Sequence, residues 1–274
     1  MSLRDALQDP DLLAGAYARL ARRPGLWMQG VPMSQVRSAP VRAMLHLAQS
    51  LREGSYRAQR PAVVSIAKAD GTLRELSIYG LRDRLVQRAL LDLLQPLSEP
   101  RFSNASFGFR PGRSVAMAVR RAQRWIDCGH HWLVDADIER CFDSIPRRQL
   151  LDVVGEWLDD ADAPGLVASC LGWRSDDIGA DARGIPQGAC LSPWLCNVFL
   201  HRLDVRSRRC RAPLVRYADD FLLFARARRG AEQLKLRCGR WLAALGLALH
   251  PRKTQIVDAC TPIRFLGREL VACC

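Results

Sequence analysis

The sequence lacks several features that would place it in whole classes of protein. No apolar run approaches the roughly 20 residues needed to cross a membrane. The N-terminus, MSLRDALQDPDLL, carries early acidic residues and has no apolar core of a signal peptide. No low-complexity tract or internal repeat is present. These absences exclude fibrous and repeat proteins, and we expect a globular, cytoplasmic chain without a membrane partner.

Paired cysteines are missing as well. None of the ten cysteines belongs to a CxxC pair, and they are scattered through apolar runs such as ASCLGW and CLSPWLCNVF. A disulfide framework or a zinc site needs paired or regularly spaced cysteines. We therefore expect buried free thiols in a reducing compartment.

Lysine is scarce, although the chain is strongly basic. The 41 Lys and Arg residues, nearly all of them Arg, outnumber 28 Asp and Glu residues, which gives a formal net charge of +13 and a pI near 9.9. A field of this sign attracts polyanions, and the guanidinium group suits bidentate phosphate contacts. A GC-rich genome that favours Arg codons would produce the same bias. The charge by itself favours a nucleic acid or a nucleotide as ligand.

The periodicity of apolar residues predicts an alternation of helices and hairpins. The chain of 274 residues fits one large domain or a domain with subdomains. Residues 1–53 have helical patterns, a turn signal at 69–71 predicts a hairpin, and helical periods return at 81–97, 115–127, 147–158 and after 190. Segment 247–257 is strand-like. Because a βαβ rhythm is missing, we expect an α+β fold with an antiparallel sheet.

Two acidic clusters stand in apolar surroundings. Asp219 and Asp220 adjoin in LVRYADDFLLFAR, while Asp135 and Asp137 alternate in LVDADI and so share one face of a strand. A plain hairpin turn would also explain the first pair. If the two elements were neighbours, the carboxylates would repel unless a cation neutralised them. Oxygen ligands favour Mg²⁺, and two such ions support in-line phosphoryl transfer.

Seven segments then carry a resemblance to a known family, in order along the chain. They are LRDRLVQRAL at 81–90, SFGFRPGRS at 106–114, DIERCFD at 137–143, GIPQGACLSPWLCNVFL at 184–200, YADD at 217–220, HPRKT at 250–254 and FLG at 265–267. Over about residues 51–270 the chain resembles prokaryotic reverse transcriptases of the group II intron type. A single one of these motifs is weak, whereas their order and spacing are specific.

The resemblance implies a fold. It is an α+β fold with the palm and fingers of a right-hand polymerase, in which an antiparallel palm sheet packs on helices and a thumb is missing or minimal. We expect an N-terminal helical region at 1–53, fingers with part of the palm at 54–130, the palm at 131–270 and a tail at 271–274. The sequence ends seven residues after FLG. Three expectations stay open: the chain is a truncated module, a partner or fused module supplies the thumb, or the protein works with low processivity.

The resemblance also implies a catalytic centre. Asp137, Asp219 and Asp220 would hold two Mg²⁺ ions, for which Mn²⁺ can substitute, and Ile138 belongs to the same metal set. Lys253 would protonate the leaving pyrophosphate. Asp135 could assist this set or be a solvated strand residue, and the second alternative is favoured.

Further residues receive binding roles by the same resemblance. Nucleotide contacts are expected from Lys68, Arg74, Phe142, Gln187 and Gly188, with Phe142 beneath the sugar, where it would exclude a 2′-hydroxyl. Template or primer contacts are expected from Arg110, Arg113, Phe265, Leu266 and Gly267. Structural alternatives stay open: a core aromatic for Phe142, a solvated hairpin for Lys68 and Arg74, loop bridging for the two arginines, and a packed strand end for 265–267.

The implied function is RNA-directed DNA polymerisation, with an RNA template, a DNA or RNA primer and dNTPs as partners. The setting would be a mobile element, CRISPR spacer acquisition, in which a partner contributes integrase function, or defence against phage. Retron and diversity-generating enzymes fit the PQGxxLSP block less well. The main alternative is a catalytically weak nucleic-acid-binding scaffold with the same fold. A palm-type nucleotide cyclase is disfavoured because a GGDEF-like signature is missing.

Overall fold

The structure, a computed structural model, describes residues 3–20, 26–67, 71 and 73–272. Lys68 therefore lies outside the described residues. The chain divides into two compact units. The first unit comprises Met1–Pro100 and Arg147–Ser192, and the second comprises Arg101–Pro146 and Pro193–Cys274. The functional ranges expected from the sequence divide the chain differently, and they stay a prediction.

The helices of the described residues follow one another along the whole chain. They are α1 (Leu3–Leu7), α2 (Pro10–Leu20), α3 (Met33–Arg37), α4 (Pro40–Arg52), α5 (Leu81–Ser98), α6 (Val115–Asp127), α7 (Cys141–Ser144), α8 (Arg147–Leu158), α9 (Ala163–Leu171), α10 (Ser192–Arg209) and α11 (Arg228–Ala243). Short 3₁₀ turns occur at Glu99–Arg101 and Ser175–Ile178. Within the described part of the chain, no helix is long and apolar enough to span a bilayer.

The strands are all short and pair antiparallel. They are β1 (Leu26–Met28), β2 (Val31–Pro32), β3 (Ala62–Ala67), β4 (Leu73–Ile78), β5 (Trp132–Asp137), β6 (Leu214–Tyr217), β7 (Asp220–Ala225), β8 (Gln255–Asp258), β9 (Ile263–Phe265) and β10 (Arg268–Leu270). A four-stranded sheet has the order β6-β7-β5-β8, and β1–β2, β3–β4 and β9–β10 form two-stranded sheets. The predicted antiparallel α+β architecture is confirmed.

Local sequence signals explain why several helices lie where the periodicity predicts them. Helix α6 begins after Ser114, whose hydroxyl accepts a hydrogen bond from Met117 N at 3.3 Å. It buries Ala118, Ala122 and Ile126, which recur every four residues and so lie on one stripe. Helix α8 begins directly after Pro146, whose fixed φ suits a helix start.

One side of the four-stranded sheet carries the core of the second unit. Leu133, Leu222 and Phe224 on neighbouring strands pack with the apolar stripe of α6 and with Phe265 and Leu270 of the β9–β10 hairpin. On that face the apolar row of Leu133 and Phe224 is followed by Asp135 opposite Leu222 and then by Asp137 opposite Asp220. The core therefore fixes which end of the sheet can hold a site.

Within residues 1–53, where the sequence predicts helices broken near Pro24–Gly25 and Pro40, the structure also contains the β1–β2 hairpin. Strands of three and two residues are too short to show periodicity. The strand-like segment 247–257 is a strand only from Gln255 onward, because HPRK forms a turn in which Thr254 N donates to His250 O at 3.0 Å. Proline lacks the N–H that a paired strand needs.

The prediction of free thiols is confirmed for all eight cysteines that the structure describes, but not all of them are buried. Cys128, Cys210 and Cys260 are exposed. Cys128 and Cys210 directly follow the ends of α6 and α10, and Cys260 lies two residues after the end of β8.

A fully buried arginine, Arg216, belongs to strand β6 of the β6–β7 hairpin. Arg216 donates from Nε and Nη2 to the two carboxylate oxygens of Asp204, both at 2.7 Å. Its Nη1 donates to Asn197 Oδ1 at 3.0 Å and to Ala218 O at 2.9 Å. Arg216 and Asp204 are 0% and 1% exposed, so each charge depends on the other for neutralisation.

We predict that Asp204→Asn lowers the free energy of unfolding by about 3 to 5 kcal/mol, because it leaves the Arg216 charge buried and unpaired. Chemical denaturation followed by circular dichroism measures the change. Glu232→Gln breaks the exposed Arg228–Glu232 pair (3.3 Å) and serves as the control, with an expected cost of about 1 kcal/mol or less. A loss of equal size in both variants would contradict the account of a desolvated pair.

Candidate active site

Strand pairing brings the two acidic clusters together. In the β5–β7 register Asp137 lies directly opposite Asp220, and in the β6–β7 hairpin Asp220 lies opposite Tyr217. Residues opposite each other in antiparallel strands share a face. Ala218 and Asp219 form the turn between β6 and β7. The adjacency that the sequence analysis left conditional is therefore present at one end of the sheet.

Asp135 lies one row below these carboxylates on the same face. Its carboxylate accepts a hydrogen bond from Gln255 Nε2 at 3.2 Å, and the two residues are register partners on β5 and β8. Asp135 is only partly exposed, and burial raises the pKa of its carboxyl group. Asp135 is therefore only partly solvated, and its hydrogen bond comes from the neighbouring strand β8.

The carboxylates impose an electrostatic cost on one another. Burial first, and then the charges of Asp135, Asp137 and Asp219, raise the pKa of Asp220 to about 7, while Lys253 opposes them. A carboxyl group with this pKa is only about half ionised at neutral pH. A cation at this end of the sheet would relieve the repulsion and favour the ionised form.

Lys253 reaches this group from the turn before β8. Its Nζ lies 2.9 Å from Asp137 Oδ2. The turn is held by His250: its Nδ1 accepts from the backbone N–H of Arg252 and Lys253, both at 3.3 Å, and its backbone N–H donates to Asp137 O at 2.8 Å. The same strand end thus positions both the carboxylate and the lysine.

The tip of the hairpin has strained backbone and close packing. Ala218 has φ = 61°, a left-handed conformation that is uncommon for residues other than glycine. Segment 105–108 pairs with β6 through Phe107 N to Arg216 O and Arg216 N to Ala105 O, both at 2.8 Å. A Cβ on Gly108 would lie 2.5 Å from Ala218 N, so only glycine allows this approach. The SFGFRPGRS segment therefore supports the turn that carries Asp219.

The two arginines of that segment make internal contacts. Arg110 is 6% exposed, and its Nη1 donates to Ser103 O at 2.6 Å and Ser106 O at 2.7 Å. Arg113 donates to Asn104 Oδ1 at 2.9 Å and lies over the Phe107 ring. These contacts are those of the loop-bridging alternative, and template contacts by either residue stay a prediction.

The remaining predicted residues of the second unit lie on short elements. Phe142 is partly exposed on α7. Phe265 is 2% exposed and belongs to the core cluster, and Leu266 packs against that cluster. Leu266 and Gly267 have φ of 50° and 75° and form the two-residue turn between β9 and β10. Gly267 is exposed whereas the Phe265 side chain is buried, and contacts of 265–267 with a template or primer stay a prediction.

The first unit holds the other nucleotide candidates. Arg74 is exposed on β4, within the predicted β3–β4 hairpin, which is confirmed. Gln187 and Gly188 lie in the loop before α10, and Gln187 O accepts from Ser77 N at 2.7 Å. A Cβ on Gly188 would lie 2.4 Å from Ser77 O. The loop is therefore in contact with the same strand that carries Arg74.

Several residues of the site were missed by the sequence analysis. Arg216, Asp204 and Asn197 hold the hairpin, Gly108 admits its tip, and Gln255 bonds Asp135. A signal existed for some of them: Arg216 is the one charge in the apolar strand LVRY, and Asn197 and Gly108 stand in motif segments. Their partners are distant in sequence, so the contacts themselves could not be read.

The donor chemistry at the sheet end fits a hard divalent cation. Carboxylate oxygens are the protein ligands that Mg²⁺ prefers, commonly one or two of them with substrate phosphates. Ile138 could contribute only its backbone oxygen, because its side chain is apolar and buried. In the described residues no set of three or more His, Cys, Asp or Glu side chains forms a ready-made metal site.

Comparison with known proteins agrees with this geometry. The sequence profile of the family described as "Reverse transcriptase (RNA-dependent DNA polymerase)" matches residues 66–270. Protein YkfC of Escherichia coli K12 is 30% identical over 293 aligned positions, which cover 92% of this chain and 76% of YkfC. The group II intron-encoded protein LtrA of Lactococcus lactis is 31% identical over 202 positions, 71% of this chain and 33% of LtrA.

A solved structure shares the fold. A chain of a partial Cas6-RT-Cas1–Cas2 complex superposes with a TM-score of 0.50 at 24% identity and covers 89% of this chain. This chain spans 42% of that chain and about a third of LtrA. With a profile match over most of its length and a relative such as YkfC, the chain belongs to the reverse transcriptase (RNA-dependent DNA polymerase) family.

Proposed function

We propose that this chain is an active RNA-directed DNA polymerase, which adds dNTPs to a primer 3′-hydroxyl by two-metal phosphoryl transfer. The observation that carries the proposal is the direct pairing of Asp137 with Asp220 across β5 and β7, with Asp219 in the adjoining turn. Partly buried like charges at one sheet end repel one another unless a cation neutralises them. Membership of the reverse transcriptase family supports the reaction type.

Asp137, Asp219 and Asp220 would hold the Mg²⁺ or Mn²⁺ ions, with Ile138 adding only its backbone oxygen. When bound, the ions would activate the attacking hydroxyl and stabilise the pyrophosphate. Lys253 Nζ, 2.9 Å from Asp137, would donate a proton to the leaving pyrophosphate. The turn at His250 fixes the backbone of Lys253 next to the strand end that carries Asp137.

Nucleotide selection would rest on further residues. Phe142, partly exposed on α7, would lie under the sugar, and Gln187 and Gly188 would contact the nascent base pair. Arg74 and Lys68 would bind the triphosphate. Arg113 and the backbone of Leu266–Gly267 would contact template or primer. Arg110 is buried, so its immediate neighbours would make such a contact in its place.

The biological setting is proposed from the relatives. LtrA is encoded by a group II intron, and the chain that shares the fold comes from a Cas6-RT-Cas1–Cas2 complex. A mobile element, spacer acquisition or defence against phage would each supply an RNA template and a primer. A protein partner or fused module would then provide thumb or integrase function.

A scaffold that binds nucleic acid without turnover is the second candidate. It is favoured by one observation: Lys253 Nζ already pairs with Asp137 Oδ2, at 2.9 Å. A scaffold would bind template and primer with normal affinity and would not extend the primer.

Asp219→Ala is predicted to reduce extension of oligo(dT) on poly(rA), with dTTP and Mg²⁺, by at least about a hundredfold. Template–primer binding should stay nearly unchanged, because the substitution removes a metal ligand and no phosphate contact. Asp127→Ala on α6, an exposed acidic residue of the same unit, is the matched control and should extend normally. Unimpaired extension by Asp219→Ala would show that the metal assignment is wrong.

Phe142→Ala is predicted to lower the preference for dNTP over rNTP by roughly tenfold or more, since the ring would no longer meet the 2′-hydroxyl. The ratio of kcat/KM for dTTP and UTP on the same primer measures the preference. Phe142→Tyr keeps the ring and should keep the discrimination. If the alanine variant selects sugars as the wild type does, Phe142 is a packing residue only.

A further inference from the structure

The loop that carries Gln187 and Gly188 has little regular structure of its own. Within residues 186–192 two backbone hydrogen bonds are long, Ala189 N to Pro186 O at 3.4 Å and Ser192 N to Ala189 O at 3.3 Å. Gly188 has φ = 118°, a conformation that glycine adopts and other residues rarely do. The shape of the loop must therefore come from contacts with other elements of the first unit.

Two of these contacts tie the start of the loop. Ser77 N, on β4, donates to Gln187 O at 2.7 Å, and Ser192 Oγ donates to Pro186 O at 2.6 Å. The Gly188 backbone is packed so closely on Ser77 O that a Cβ would lie 2.4 Å away. The backbone at the start of the loop is therefore fixed against β4.

The third contact comes from a buried glutamine on α5. Gln87 is 0% exposed. Its Oε1 accepts from Cys190 N at 2.9 Å, and its Nε2 donates to Cys170 O, at the end of α9, at 2.9 Å. Both ends of the amide are therefore hydrogen-bonded, so that Gln87 joins α5 to the loop and to the end of α9. Arg84 lies one helical turn before Gln87 on α5, and Cys190 Sγ lies 3.9 Å from Arg84 O. Cys190 therefore contacts the same face of α5 at two points.

We propose that Gln87 is a positioning residue for nucleotide binding: it fixes Cys190, and through it the backbone of Gln187 and Gly188, in the orientation that receives the incoming dNTP. This inference rests on the proposed polymerase function and assigns a role to a residue that does not itself touch substrate. Loss of the amide removes the partner of the partly buried Cys190 N–H and of the buried Cys170 carbonyl. The loop would then lose its bond at Cys190, while Ser77 N on β4 would still donate to Gln187 O.

The chain offers a matched control for this role. Tyr79 is 5% exposed, and its hydroxyl donates to Leu171 O at 3.0 Å, one residue from the carbonyl that Gln87 meets. Tyr79→Phe removes one buried hydrogen bond to the end of α9 and none to the loop. A general loss of stability would affect both variants, whereas a positioning role would affect only Gln87.

The first experiment compares Gln87→Met with Tyr79→Phe in steady-state extension of a primer on an RNA template. Gln87→Met is expected to raise KM for dNTP about tenfold, with kcat and template–primer affinity changed by less than about threefold. Tyr79→Phe should leave KM for dNTP near the wild-type value. An unchanged KM in Gln87→Met, or an equal rise in both variants, overturns the proposal.

Hydrogen exchange supplies a readout that does not need activity. Gln87→Met should speed amide exchange in the peptide that contains 186–191 and leave β4 and α6 unchanged, and Gln87→Glu, which keeps an oxygen facing Cys190 N, should restore protection at least partly. Unaltered exchange in 186–191 overturns the anchoring. If the wild type itself does not synthesise DNA, the polymerase proposal fails, and exchange alone still decides what Gln87 holds.

Discussion

The buried Arg216 guanidinium is the interaction on which the candidate site depends. It neutralises Asp204, binds Asn197 and donates to Ala218 O, the carbonyl just before Asp219. A charge without solvent is tolerated only when its partners satisfy it fully. In this protein that requirement fixes helix α10, strand β6 and the turn in one arrangement. The position of the acidic turn therefore depends on the Arg216 side chain, which lies on the opposite face of strand β6.

Successive residues of strand β6 face two different electrostatic environments. Arg216 faces the protein interior with its counter-charge, while Tyr217 and Asp220 occupy the next row on the other face with Asp137. On that face the carboxylates lie close together, and burial together with their charges raises the pKa of Asp220 to about 7. The sheet thus separates the buried ion pair from the carboxylates, which share their face with the apolar core of the second unit.

Much of this arrangement could be predicted from the sequence, and the rest could not for a physical reason. The bounds of α6 and α8 follow from Ser114 and Pro146, and the two acidic clusters follow from their apolar surroundings. What the sequence hid were contacts between distant residues: Gln87 with Cys190, Arg216 with Asp204, and Gln255 with Asp135. Periodicity reports which face is buried, whereas partner choice depends on the three-dimensional packing.

The most direct test of the central claim is a count of bound metal ions in a stalled complex. Electron paramagnetic resonance of the full chain with Mn²⁺, an RNA template, a dideoxy-terminated primer and the matching dNTP would detect the ions of a complex that cannot turn over. We expect two Mn²⁺ ions per chain, and the loss of both when Asp137 and Asp219 are changed to Asn. Equal Mn²⁺ binding by the wild type and that double variant would contradict the assignment of the carboxylate site.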